Sequence, residues 1–108
     1  MNKTKTQINE MISKLSNLRD EISDNSNYGK NIHKAVNAQV LVLNENLSSE
    51  EIKKRFHHET DAFTLCKAYE AYHWLNNHLT DEELLGSIEP GETQMEEIKK
   101  NKTASHTA

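Results

Sequence analysis

The sequence predicts an all-α fold: a small bundle of three main helices, two short capped helices and a disordered C-terminal tail. Three observations predict it. Apolar residues recur at helical spacing through residues 8–79. Turn formers are scarce, with three Gly and one Pro in 108 residues, too few to punctuate an all-β chain. The chain also echoes itself. Lys34-Ala35-Val36-Asn37-Ala38 runs on to Leu47-Ser48-Ser49-Glu50-Glu51-Ile52, and Lys67-Ala68-Tyr69-Glu70-Ala71 runs on to Leu79-Thr80-Asp81-Glu82-Glu83-Leu84. Each copy reads as a helix, an apolar residue, then a capping box that opens a second helix. The echo fits an old duplication of a helix–loop–helix unit as well as two uses of common capping grammar. The expected layout is a single helical domain over residues 1–92 and a frayed or disordered tail over 93–108.

The first helix is expected over residues 5–23. Ile8, Leu15 and Ile22 are seven apart with Met11 and Leu18 between them, an a/d seam on an otherwise polar helix. The seam spans just over two heptads. It suits a helix lying across its own bundle, and it also suits a homodimer zipped along Ile8, Met11, Leu15, Leu18 and Ile22. Ser23 to Gly29 is a loop rich in turn formers. The second helix is expected from Lys30 to Asn46. Ile32, Ala35, Val36, Val40, Leu43 and Leu47 make its apolar face, Leu41 points the other way, and Gln39 falls inside the apolar arc, where it needs a partner if buried.

Ser48 with Glu51 forms a capping box, so a short helix should run from Ser49 to about His57 with Ile52 and Phe56 facing inward. The fourth helix starts near Thr60 or Asp61 and reaches His78. Its apolar arc is wide and includes Ala62, Leu65, Cys66, Ala68, Tyr69, Tyr72, Leu75 and Leu79, centred between Leu65 and Tyr72. Thr80 with Glu83 opens the last short helix, which stops at Gly86. Pro90-Gly91 breaks the chain. Thr93 to Lys100 is expected to form at most a frayed turn or two around Met95 and Ile98, and the polar stretch from Asn101 should be disordered.

Composition narrows function. The apolar fraction of 34% and the mean hydropathy of -0.87 are low for a compact fold, so part of the chain should be tail or depend on association. The net charge of -4 argues against a general nucleic-acid binder, and the interleaved Lys and Arg argue against a DNA mimic. A single cysteine, Cys66, excludes an intrachain disulfide framework and a cysteine-rich zinc site. No apolar run approaches the ~20 residues that span a bilayer. Residues 1–7 are polar and lack the apolar stretch of a signal peptide, so a cytoplasmic protein without membrane contact is expected. Abundant Asn and Lys fit an AT-rich bacterial or phage genome.

No catalytic, cofactor or metal site is expected. Glu70 and His73 share a helix face at the spacing of di-iron bundles, but the motif occurs once where such sites need it twice. His57, His58, Glu59 and Asp61 are close in sequence, yet adjacent side chains at a helix end diverge by ~100°. Cys66 is expected on the buried side of the fourth helix, where a thiol is inert. Its distance from His73, about 10 Å along the helix, does not make a catalytic pair. Three isolated glycines make no phosphate loop.

The expected function is non-enzymatic protein–protein binding, as a phage or mobile-element inhibitor of a host defence complex or an antitoxin-like neutraliser. The residues carrying that expectation are Phe63, Lys67, Glu70 and Trp74, a single stripe on the polar side of the fourth helix. Large aromatics flanked by charges mark interface anchors. The competing reading is that this helix is buried on two sides, with the first helix covering Phe63 and Trp74. A second function class is a helix-turn-helix-like transcriptional regulator using residues 48–67. Against it, Lys53 fills a place usually kept small, and no base-reading side chain precedes Lys67 in the would-be recognition segment. A third class is a bundle that binds a small ligand or nucleotide between helices, with His and Tyr lining the pocket.

Overall fold

The computed structural model describes residues 3–86, and it is all-α there: α1 (Lys5–Glu21), α2 (Asn27–Glu45), α3 (Ser49–Arg55), α4 (Ala62–Leu75) and α5 (Asp81–Gly86). The expected break at Pro90-Gly91 and the tail from residue 93 lie outside the described residues. The long helices α1, α2 and α4 form the bundle, with α2 central: α4 packs along one side of it and α1 along another. The short helices close the ends, α3 against α4 and α5 against α4 and α1.

Local chemistry sets where each helix begins. Thr4 caps α1, accepting from the Gln7 N–H, while the Gln7 side chain accepts from the Thr4 N–H. Ser26 accepts from the Gly29 N–H, so α2 starts at Asn27, a turn earlier than the loop residues suggest. Gly29 is required there because a β-carbon would overlap the Ser23 carbonyl oxygen. Both expected capping boxes form, Ser48 with Glu51 and Thr80 with Glu83. Asn46 (φ 50°) and Asn77 (φ 63°) take the left-handed conformation that asparagine tolerates, and each lies just past the end of its helix. This is why α4 ends at Leu75 rather than at His78.

The core joins Met11 and Leu15 of α1, a long stripe of α2 (Ile32, Ala35, Val36, Val42, Leu43), and Ala68, Ala71, Trp74 and Leu75 of α4. Leu47, Ile52 and Leu84 seal the ends. The echo in the sequence has a structural counterpart. Ala35 and Ala38 in the first copy, and Ala68 and Ala71 in the second, are all buried, and so are Ile52 and Leu84. Paired small residues let two helices approach closely, which suits the extensive contact of α2 with α4.

The α1 seam is used within the chain. Met11 and Leu15 are buried, and Ile8, Leu18 and Ile22 are half-buried against the same core. Ion pairs fix the ends of the shorter elements. Arg55 of α3 makes a two-pronged contact with Glu45 at the end of α2, at 2.6 and 3.1 Å. Lys34 of α2 reaches Glu59 in the α3–α4 turn at 2.6 Å. His33 donates from Nε2 to the Ile22 carbonyl at the end of α1, tying α1 to α2.

Candidate functional site

α4 departs furthest from the sequence reading. Its buried residues are Thr64, Lys67, Ala68, Ala71, Trp74 and Leu75. Of the apolar arc expected to face inward, centred between Leu65 and Tyr72, Ala68 and Leu75 are buried and Tyr69, Tyr72 and Leu79 are half-buried against the core, but its middle is not the most buried side of the helix. Cys66 is exposed, and Leu65, Tyr69 and Tyr72 are half-buried. Cys66 is therefore not buried as the sequence suggested. The reason is steric. Thr64, Ala68 and Ala71 form the flattest face of the helix and let it lie close on α2, whereas Leu65, Tyr69 and Tyr72 would hold it away.

The stripe Phe63, Lys67, Glu70, Trp74 does not form one exposed surface. Trp74 is 1% exposed. Its indole Nε1 donates to Asp81 of α5 at 2.7 Å, and the Lys3 ammonium sits 4.9 Å from its ring centroid. Trp74 also borders a small cavity of about 120 Å³ with Gln7, Glu10, Met11 and Lys14 of α1 and Asp81. An aromatic between α1 and α5 is a core residue with a polar handle, as the competing reading held for this position. Lys67 is 8% exposed and lays its stem against the core while its ammonium turns to Glu70 at 3.1 Å. Phe63 is 37% exposed, with the Lys67 ammonium 5.1 Å from its ring. Of the four residues, Phe63 alone is counted among the exposed positions.

The start of α4 is a clamp built from carboxylates. Asp61 caps the helix, accepting from the Phe63 N–H at 3.1 Å and the Thr64 hydroxyl at 2.8 Å. Glu59 accepts from Lys34 and from the Asp61 N–H at 3.0 Å. Each carboxyl is held below its ordinary pKa: Asp61 chiefly by the Thr64 hydroxyl, Glu59 chiefly by Lys34. The helix-turn-helix reading asks this end of α4 to enter a DNA groove. Here it presents Asp61, Ala62 and Phe63, and the basic run Lys53-Lys54-Arg55 lies on α3, with Arg55 committed to Glu45.

The acids and histidines considered as metal ligands are dispersed or engaged, Glu70 by Lys67 and Glu59 by Lys34. Among the described residues, no three His, Cys, Asp or Glu side chains come together to hold an ion. No described helix is long and apolar enough to cross a membrane.

What the structure does assemble is the outer face of α4. Ala62, Cys66 and His73 are exposed and Tyr69 half-buried along its centre line, with Leu65 and Tyr72 on one flank and Phe63 and Glu70 on the other. The sequence carried a signal for it: positions 62, 66, 69 and 73 repeat at four, three, four. The wider apolar arc hid that narrower pattern. Comparison of the chain with protein-family models, with curated proteins and with solved structures yields no match.

Proposed function

We propose that this protein acts without catalysis, by binding another protein through the outer face of α4. The observation that supports the reading is the rotation of that helix away from its expected arc. Its small residues Thr64, Ala68 and Ala71 are buried, while Phe63 and Cys66 are left exposed beside half-buried Leu65, Tyr69 and Tyr72, the two tyrosines resting partly on the core. Tyrosines and a phenylalanine on a rigid helix make good anchors, because they offer large contact area for little lost side-chain freedom. In the finer form of the proposal, the protein is a phage or mobile-element accessory factor that inhibits or neutralises its target, as an antitoxin does.

The test compares wild type with Phe63→Ala/Leu65→Ala as affinity baits in host lysate, read by mass spectrometry. Both substituted side chains are partly solvated, so the variant should keep its helical circular dichroism and its melting temperature. A stoichiometric partner that binds wild type and is lost with the variant supports the reading. A partner retained equally by both baits moves the contact to another face and refutes it.

A further inference from the structure

We propose that the cavity beside Trp74 binds a small α-amino acid as its zwitterion, a function separate from the contact face on α4. The cavity has a volume of about 120 Å³ and lies where α1 meets the end of α4 and the start of α5. Gln7, Glu10, Met11, Lys14, Trp74 and Asp81 line it. It is more enclosed than the open groove at Leu18 and Leu85 further along α1. Met11 and Trp74, both buried, form an apolar floor. The rim carries three charges that the fold leaves available. Glu10 and Lys14 enter none of the ion pairs made by the described residues. Asp81 spends one carboxylate oxygen on the Trp74 indole N–H at 2.7 Å, which fixes the acid at the cavity edge and leaves its second oxygen to accept from a ligand.

The charges select the ligand. Two carboxylates and one ammonium leave the rim with an excess of negative charge, so a bare anion is repelled. A bare cation satisfies Glu10 and Asp81 but meets the Lys14 ammonium as a like charge. A zwitterion satisfies all three: its ammonium donates to Glu10 and Asp81, and its carboxylate accepts from Lys14. Glu10 and Lys14 are one turn apart, about 6 Å along α1, so the ligand lies along that helix with its two ends at successive turns. The ammonium and carboxylate of an α-amino acid flank a single carbon, which suits that short span. Size narrows the choice further. A cavity of about 150 Å³ takes a molecule the size of benzene, so about 120 Å³ takes about five or six heavy atoms. Glycine and alanine meet both conditions, whereas leucine is too large. Contacts of this kind give half-saturation at about 0.1–1 mM.

The experiment titrates the full chain with glycine, alanine, leucine, methylammonium chloride and sodium acetate at constant ionic strength. Trp74, the single tryptophan, reports from the cavity wall through its fluorescence, and calorimetry gives the stoichiometry. Glycine and alanine should saturate at one molecule per chain. Methylammonium and acetate, each with one of the two charges, should bind at least about tenfold more weakly, and leucine should not saturate. Glu10→Gln and Lys14→Met each remove one rim charge from an exposed residue. Circular dichroism should therefore be unchanged, and affinity for alanine should fall at least about tenfold. Three results overturn the proposal: no saturable signal from glycine or alanine up to about 20 mM, methylammonium binding as tightly as alanine, or both variants binding alanine as wild type does. The ligand series on wild type decides the matter even where a variant fails to fold. None of these outcomes bears on the lysate test of the α4 face.

Discussion

Gln39 offers the sharpest test of how this core is held together. It is fully buried in the middle of α2, one turn from Ala35, Val36, Val42 and Leu43, and neither its amide nitrogen nor its carbonyl oxygen has a hydrogen-bond partner. A buried polar group without a partner costs about 1–3 kcal/mol, because it gave up water and gained nothing. Two such atoms on one side chain therefore put the local cost at about 2–4 kcal/mol, allowing for partial overlap between them. Gln39→Met keeps the length and flexibility of the side chain and removes both polar atoms, so the gain should not be offset by a cavity. The expected outcome is a stabilisation of about 2–4 kcal/mol, which in a domain this size raises Tm by about 4–8 °C for each kcal/mol. Denaturant unfolding gives a clean assay, since Trp74 is the single tryptophan, is buried, and reports on the junction of α1, α4 and α5. The circular dichroism signal at 222 nm should move with it, at unchanged m-value. Unchanged or reduced stability in Gln39→Met would refute the reasoning, because it would mean that the amide is satisfied in solution.

Three further outcomes follow from the same packing. Trp74→Ala should cost about 3–5 kcal/mol, and Trp74→Phe should retain most of the burial while losing the bond to Asp81; thermal melts that barely move would return Trp74 to the surface. Gly29→Ala should lower Tm markedly and loosen the start of α2, since its methyl group has no space beside the Ser23 carbonyl; an unaffected melt would contradict the tight α1–α2 turn. Glu59 and Asp61 have folded pKa values below their ordinary values of 4.5 and 3.8. Their contribution is therefore complete above the unfolded values and is lost as pH falls through the lower folded values. Melts recorded between about pH 6 and about pH 3 should show stability dropping at the acid end, with a smaller drop in Lys34→Met, and equal acid sensitivity in the two proteins would discount the Lys34–Glu59 clamp.

Much of the fold was legible in the chain because it is local. Capping boxes act within four residues, so Ser48–Glu51 and Thr80–Glu83 could be placed without any knowledge of the tertiary structure. The α1 seam and the α2 face were equally clear, because each of those helices has one apolar side and one polar side, and its inward direction is fixed by contrast. The seam could not say whether its complement lay in the same chain or another, and the structure places Met11 and Leu15 in the chain's own core.

The orientation of α4 is what only the tertiary structure decided. Apolar and aromatic residues lie around most of that helix, so its own periodicity does not single out an inward side. The choice goes with the extensive contact of α4 with α2, where Thr64, Ala68 and Ala71 are buried and both helices carry buried small residues, and with α1 and α5, which enclose Trp74. Burial of Lys67 follows, since it lies between those positions and reaches Glu70 along its own helix. The sequence by itself determined the five helices and, except for α2, where they start. Close packing between helices far apart in the chain decided which face of α4 was left for a partner, because complementarity of two surfaces is a property of neither sequence segment alone.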